Sequence, residues 1–391
     1  MKIVFISNYL SHHQQPLSDK LYALTDGEYR FIETEPMEQD RRNLGWGFSE
    51  TPSYVLQYYT DEHAAQTCQT LIDDADVVIH GSAPYETLKN RLLKKKPIFI
   101  YSERLYKAKV GYYKLPVRAY RFYKKYGRHK NVRLLCASAY TAADFAKTRT
   151  FIGKAYKWGY FPEIKQHEDI DALIEKKQPA TLLWVARFLP VKHPDVPVEI
   201  AKRLKADGYS FTLNMIGNGE LEEQIRQRIA EENLSDSVHL LGSMKPEEVR
   251  THMEESEIFL FTSDRGEGWG AVLNESMNSA CAVCASHAIG AVPFLLDDGK
   301  NGIIYKDGNL DDLYGKVKWL MDHPTERKAI SQRAYETMIG EWNAEAAARK
   351  FITLAEAVMR GEKAPFPFDS GVCSKAEIIP DGWYKNNGKI K

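Results

Sequence analysis

Short, uniformly apolar runs alternate with amphipathic segments along most of the chain. KIVFIS (2–7) leads into a helical pattern near 15–25, and ADVVIH (75–80) into PYETLKNRLLKKK. PIFIYS (97–102), VRLLCAS (132–138), TLLWVA (181–186), FTLNMIG (211–217), SVHLLG (237–242), EIFLFTS (257–263) and CAVCAS (281–286) repeat the scheme. Runs rich in Val, Ile, Leu and Phe without polar alternation suit parallel strands buried on both faces. Their alternation with helices predicts an α/β fold with doubly wound sheets.

The pattern breaks at 160–180, YFPEIKQHEDIDALIEKKQPA, which is polar, carries two prolines and precedes a fresh strand. A domain boundary is expected there, giving domains over 1–165 and 166–345. NAEAAARKFITLAEAVMR (343–360) is rich in strong helix formers, and 361–391 reads as an irregular tail. A chain of 391 residues suits two domains. Lys+Arg and Asp+Glu both number 53, a balance that argues against a dedicated nucleic-acid binder. No apolar run approaches the roughly 18 residues of a membrane span, and MKIVFISNY reads as a first strand rather than a signal peptide. Five cysteines, few and odd in number, fit reduced thiols in a cytoplasmic protein. Cys281-x-x-Cys284 has no second pair and reads as core.

In doubly wound sheets, ligands bind beyond the C-terminal ends of strands. Arg187 and Lys192 follow TLLWVA, where an Arg and a Lys can reach one polyanion, although from this pair alone two solvated surface cations are the favoured reading. Gly217, Asn218 and Gly219 form a turn after the next strand, ahead of a helix start. EIFLFTS is followed by SDRGEGWGAVLNESM. Glycines 266, 268 and 270 permit close backbone approach, and a glycine loop opening a helix aims free N–H groups at an anion. Glu267 on the loop and Glu275 in the helix are misplaced for phosphate but suited to hydroxyls, because a carboxylate accepts two O–H bonds. The stretch therefore reads as a site for a molecule carrying both phosphates and sugar hydroxyls.

The stretch 257–305, together with VARFLPVKH, MIGNGELEEQI and VHLLGSMKPEEV, resembles the donor-binding core of retaining glycosyltransferases of family 4 (glycosyl transferases group 1). The resemblance is close over about 180–345 and holds only in outline over 1–160. It implies the GT-B fold, two Rossmann-like domains with mainly parallel sheets facing a central cleft. The first domain then takes the acceptor side and the second the nucleotide sugar, with a C-terminal helix over 346–360 crossing back. Glu267 and Glu275 match the family's E-x7-E motif. By resemblance, Arg187 and Lys192 hold the donor diphosphate and offset leaving-group charge. Backbone of Gly268, Trp269, Gly270, Ala271 and Val272 approaches phosphate and sugar. Glu267 faces sugar hydroxyls, Glu275 the ribose, Ser243 and Met244 the base, and Gly217–Gly219 the nucleotide pocket.

The implied reaction moves a sugar from a nucleotide donor, UDP-linked, to a glycan or lipid-linked acceptor with retention of configuration. It needs no cofactor and no metal, since two cations and a helix N-terminus can stabilise the departing diphosphate. Asp74-Ala75-Asp76 lies before a strand, away from the expected cleft. The other readings are a nucleotide-sugar epimerase or phosphorylase on the same fold, and a non-catalytic carbohydrate- or lipid-binding protein.

Two departures from the family pattern fall in the first half. Where many members carry a Gly-Gly pair after the first strand, this chain has His12, His13 and Gln14. Where many carry a histidine after the PIFIYS strand, it has Glu103 and Arg104. Glu103 is a candidate base or acceptor contact, and His12, His13 and Arg104 candidate acceptor contacts; a structural Glu103–Arg104 pair is the alternative. The segment 104–130, RLYKAKVGYYKLPVRAYRFYKKYGRHK, has no acid and many Lys, Arg and Tyr. It reads as a solvated basic face, a nucleic-acid surface, or a contact with anionic membrane at the inner face, which the family resemblance favours.

Overall fold

The computed structural model describes residues 1–39, 50–107, 112–362 and 365–384. The chain divides into two compact units, Met1–Glu163 with Glu341–Pro380, and Ile164–Gly340 with Asp381–Lys391.

The first unit is built on β1 (Ile3–Ser7), β2 (Tyr29–Glu33), β3 (Val55–Gln57), β4 (Val77–His80), β5 (Ile98–Ser102), β6 (Val132–Cys136) and β7 (Ala155–Lys157). All pair in parallel in the order β3-β2-β1-β4-β5-β6-β7. β1, β4 and β6 are buried at every position, as strands covered on both faces must be. The helix Ala344–Met359 belongs to this unit and packs against the helix Gln15–Leu24. Asn343 caps it, its side chain accepting the Ala346 N–H at 2.8 Å. After that helix the described tail forms an isolated antiparallel bridge to this unit's sheet, Lys375 to Tyr156.

The second unit carries β8 (Gln178–Val185), β9 (Thr212–Ile216), β10 (Val238–Gly242), β11 (Ser256–Phe261), β12 (Ala282–Ser286) and β13 (Ile303–Tyr305). They are parallel, in the order β10-β9-β8-β11-β12-β13. Sequence order reverses direction between β8 and β11, and between β1 and β4 in the first unit. Loops leaving those neighbouring strands diverge to opposite faces and leave a crevice at each sheet's C-terminal edge.

A buried lysine ties the start of the second unit together. Lys177 is 5% exposed, and its ammonium donates to the carbonyls of Met253, Glu254, Ser256 and Ser279 at 2.8–3.0 Å. These carbonyls lie at the C-terminal ends of the helices Pro246–Glu255 and Val272–Asn278, where helix carbonyls lack intrahelical partners. Burial pulls the Lys177 pKa down, and the carbonyl cage keeps the charged form useful. Lys177→Met removes the donors and leaves buried acceptors unmet. The expected loss is about 3 kcal/mol, read as a lower urea midpoint. An unchanged midpoint would show that the cage contributes nothing net.

Candidate active site

The sequence-expected donor residues gather at the C-terminal edge between β8 and β11. β8 ends at Val185, and the chain turns through Arg187 into the tight turn Pro190–Lys192. Arg187 is exposed and makes no side-chain ion pair or hydrogen bond among the described residues. Lys192 crosses to the loop after β11, where its ammonium forms an ion pair with the Glu267 carboxylate. Both side chains are largely buried, at 18% and 14% exposure, so the pair is shielded from solvent screening. His193 meets Asp264 at 3.1 Å, and the Asp264 N–H donates to Val191 O at 3.1 Å.

The core sets this joint. Thr262, 2% exposed, accepts the Trp184 indole N–H at 2.8 Å and donates to the Lys192 carbonyl at 2.7 Å. The glycine loop is fixed from within: Asp264 accepts the Gly266 N–H at 2.7 Å, and the Glu267 N–H donates to Asp264 O at 3.0 Å. Gly270 has φ +88°, and a Cβ there would lie 2.5 Å from the Phe261 ring. The Trp269 side chain is fully buried and donates to Asn274 Oδ1 at 2.9 Å, leaving its backbone as the part near the crevice.

Ala271 and Val272 then open the helix Val272–Asn278, whose first turn has no side-chain cap. Gly268 lies within the same loop. Glu275 is in that first turn; burial raises its pKa to about 7, partly offset by Arg250. Arg250 donates to the Glu275 carbonyl at 3.2 Å and holds the Asn278 side chain.

The neighbouring edge loops complete the surface. Gly217 has φ +135°, and a Cβ there would fall 2.0 Å from Ala186 O, so no side chain fits between these loops. Asn218 O accepts the Phe188 N–H at 2.7 Å, and the Gly217 N–H donates to Gly242 O at 2.8 Å. Gly219 continues this turn, while Ser243 (exposed) and Met244 (half-buried) follow β10.

In the first unit, His12 and His13 follow β1 with ring centroids 3.7 Å apart. The His13 ring stacks on Tyr160 at 6.0 Å, and the Tyr160 hydroxyl donates to Glu103 Oε1 at 2.7 Å. Lys107 holds the other Glu103 oxygen at 3.2 Å. Burial lowers the His12 pKa to about 4 and that of His13 well below its ordinary value, which favours the neutral form of both rings. Tyr160 was not anticipated from sequence, since its partner Glu103 is 57 residues away.

Arg104 departs from the expectation of an acceptor contact. It is 4% exposed, with its guanidinium 3.7 Å from Asp144 and over the Tyr140 ring at 4.8 Å. It is a buried structural cation, and its partner is Asp144 rather than Glu103. Asp74 ends the helix Glu62–Asp74 and pairs with Lys94, while Asp76 accepts the Lys2 N–H. Both precede β4, at the edge opposite the crevice. Among the described residues, no group of three or more His, Cys, Asp and Glu is arranged to hold a metal. Cys281 and Cys284 are buried free thiols in the sheet core.

Residues 165–337 match the family model described as "Glycosyl transferases group 1". That match falls within the second unit, Ile164–Gly340. An uncharacterized glycosyltransferase of Methanocaldococcus jannaschii is 30% identical over 154 residues, covering 39% of this chain and 42% of that protein. The N-acetylgalactosamine-N,N'-diacetylbacillosaminyl-diphospho-undecaprenol 4-alpha-N-acetylgalactosaminyltransferase of Campylobacter jejuni is 30% identical over 154 residues, covering 39% and 40%. The chain thus spans about two-fifths of the length of these curated relatives. The crystal structure of Anabaena HepE in complex with UDP superposes with a TM-score of 0.67 at 14% identity, covering 91% of this chain and 100% of that one. This likeness shows the fold, that of GT-B glycosyltransferases, over both units.

Glu275 yields a pH signature. Its folded pKa of about 7 lies above the 4.5 of an exposed glutamate. The folded state therefore holds this proton more tightly. The resulting stability is fully present below about pH 4.5 and is lost as pH rises through about 7. Glu275→Gln keeps a neutral side chain at every pH. The variant-minus-parent difference in Tm should be near zero at about pH 4 and grow positive towards about pH 8. A difference independent of pH would refute the raised pKa.

Proposed function

We propose that this protein is a retaining glycosyltransferase that moves a sugar from a UDP-sugar to a glycan or lipid-linked saccharide, without a metal. The observation that carries this reading is the Lys192–Glu267 ion pair spanning the crevice between β8 and β11, beside exposed Arg187 and an uncapped helix N-terminus. Arg187, Lys192 and the amides of Gly268–Val272 stabilise negative charge as it develops on the departing diphosphate. A diphosphate at Lys192 competes with Glu267 for the ammonium, which turns the carboxylate towards sugar hydroxyls. Glu275 takes the ribose hydroxyls. The UDP in the HepE complex and the diphospho-undecaprenol in the Campylobacter relative's name support this choice of base and acceptor class. Glu103, held by Tyr160 and Lys107, is the candidate base on the acceptor side.

The two glutamates separate binding from transfer. Glu275→Ala should weaken UDP binding about tenfold, or about 1.4 kcal/mol, by calorimetry. Glu267→Ala should leave UDP affinity within about threefold and lower turnover about 100-fold across a UDP-sugar panel, as expected for a group acting mainly in the transition state. Tight UDP binding without turnover in the parent would favour a binding protein, and interconversion of UDP-sugars without transfer an epimerase.

The basic segment supports peripheral contact with anionic membrane at the cytoplasmic face. Its residues 108–111 lie outside the described residues. The helix Leu115–Phe122 and its flanks expose Tyr113, Val117, Tyr120 and Tyr123 at 56–79%. Lys114, Arg121, Lys124, Lys125, Arg128 and Lys130 are exposed along the same segment, with Lys114 over the Tyr113 ring at 5.5 Å and Lys124 over the Tyr120 ring at 5.0 Å. Exposed tyrosines ringed by cations match an interfacial helix on anionic lipid. No helix among the described residues is long and apolar enough to cross a membrane. The protein should sediment with phosphatidylserine vesicles at about 50 mM salt and be released at about 500 mM, and Tyr113→Ala/Tyr120→Ala should weaken capture. No sedimentation at low salt would exclude this contact.

A further inference from the structure

The chain leaves the first unit at Pro380, and the segment from Asp381 belongs to the second unit. Its described part, Asp381–Tyr384, is held at three points. The Tyr384 hydroxyl lies 2.6 Å from Ile304 O and 3.1 Å from Asp298 Oδ2, and it receives a hydrogen bond from Lys316. Lys316 is itself 8% exposed and also paired with Asp312. His287, at the end of β12, accepts the Asp307 N–H on Nδ1 at 2.9 Å, and its ring hydrogen-bonds to the Asp381 backbone. The Trp383 and Tyr384 rings pack at 6.4 and 5.6 Å from that imidazole. The third point is Asp381 itself, whose carboxylate lies 3.4 Å from the Arg265 guanidinium.

Arg265 is in the turn between Asp264 and Glu267, the turn that presents Glu267 to Lys192. Tyr384 and His287 fix the segment against β12, β13 and the helix Leu310–Asp322. Asp381 of the segment pairs with the glycine loop through Arg265. An isolated surface ion pair contributes little, because two side chains must be ordered to make it. Here the backbone of one partner is already immobilised, so most of that ordering cost is met in advance.

We propose that Asp381–Tyr384 is a positioning strap for the glycine loop: anchored at Tyr384 and His287, it presents Asp381 to Arg265 and thereby fixes the turn that carries Glu267. The proposal rests on the reading of that loop as the donor-sugar site. Asp381 is a positioning residue, acting through Arg265 on Glu267, and touches no reacting atom.

The test uses the full chain with Asp381→Asn, Tyr384→Ala and Asp381→Glu. Hydrogen exchange of the amides of 264–270 should quicken about threefold or more in Asp381→Asn and Tyr384→Ala, with β12 unchanged, and return to the parent rate in Asp381→Glu. UDP, used as the probe, should bind Asp381→Asn within about twofold of the parent, while turnover on the accepted UDP-sugar falls about fivefold. Unchanged exchange at 264–270 in both disruptive variants overturns the strap, even where UDP binds. Exchange that quickens equally across β12 also overturns it, since that marks general loosening. A parent that binds no UDP overturns the donor reading, while the exchange result still decides the strap.

Discussion

The second unit's site depends on one buried hydroxyl. Thr262 stands at the end of β11, accepting from the Trp184 indole in the core and donating to the Lys192 carbonyl on the loop after β8. Losing the hydroxyl would leave the buried Trp184 indole N–H without its acceptor and the Lys192 carbonyl without this donor. Through it, two loops that diverge from adjacent parallel strands become one body. The Asp264–Val191 backbone bond, the His193–Asp264 pair and the Lys192–Glu267 pair all bridge the same joint. Charges held this way need little reorganisation when a ligand arrives, which is where electrostatic stabilisation of a leaving group is strongest.

That rigidity explains how carboxylates could lie in the proposed phosphate site. Glu267 is neutralised by Lys192 in a poorly solvated place, so it adds no bare repulsion. Glu275 is driven towards its neutral form by burial. Among the described residues Arg187 is exposed and has no acidic partner, which leaves its charge open to an anion. The glycines serve the same end from the backbone side. At Gly217 the neighbouring carbonyl occupies the place of a Cβ, so the loops after β8 and β9 can be in direct contact.

Much of this was legible in the sequence because it is local. Uninterrupted apolar runs marked nine strands, since a parallel strand covered on both faces has no polar side to confuse the pattern. β2 was missed because Arg30 and Glu33 interrupt YRFIE, and β3, β7 and β13 because three residues give too little pattern. Arg187, Lys192 and Glu267 could be nominated from sequence because each follows a recognisable strand end, and Glu275 because it opens the helix after one. Thr262, Lys177, Tyr160 and Asp381 were not, because their meaning lies in partners brought close only by folding. Arg104 shows the converse failure. Adjacent to Glu103, it reads as part of the same surface, yet consecutive residues leaving a strand face opposite ways, and it turns inward to Asp144, 40 residues on in sequence.

The first unit's strand-end cluster has a different electrostatic character, and the contrast bears on what each unit can bind. Burial disfavours the charged form of His12 and His13, and for His13 the adjacent His12 ring adds to the effect. With Tyr160 they offer hydrogen-bond donors and acceptors without cationic charge, and Glu103 adds a carboxylate already oriented by Tyr160 and Lys107. Such a set would suit hydroxyls, whereas under the proposed reading the second unit's crevice takes phosphate through Arg187 and Lys192. Under the proposed reaction, a sugar acceptor would be selected by the neutral cluster and a nucleotide donor by the cationic crevice. The two substrates are then sorted by charge before any detail of sugar shape is read.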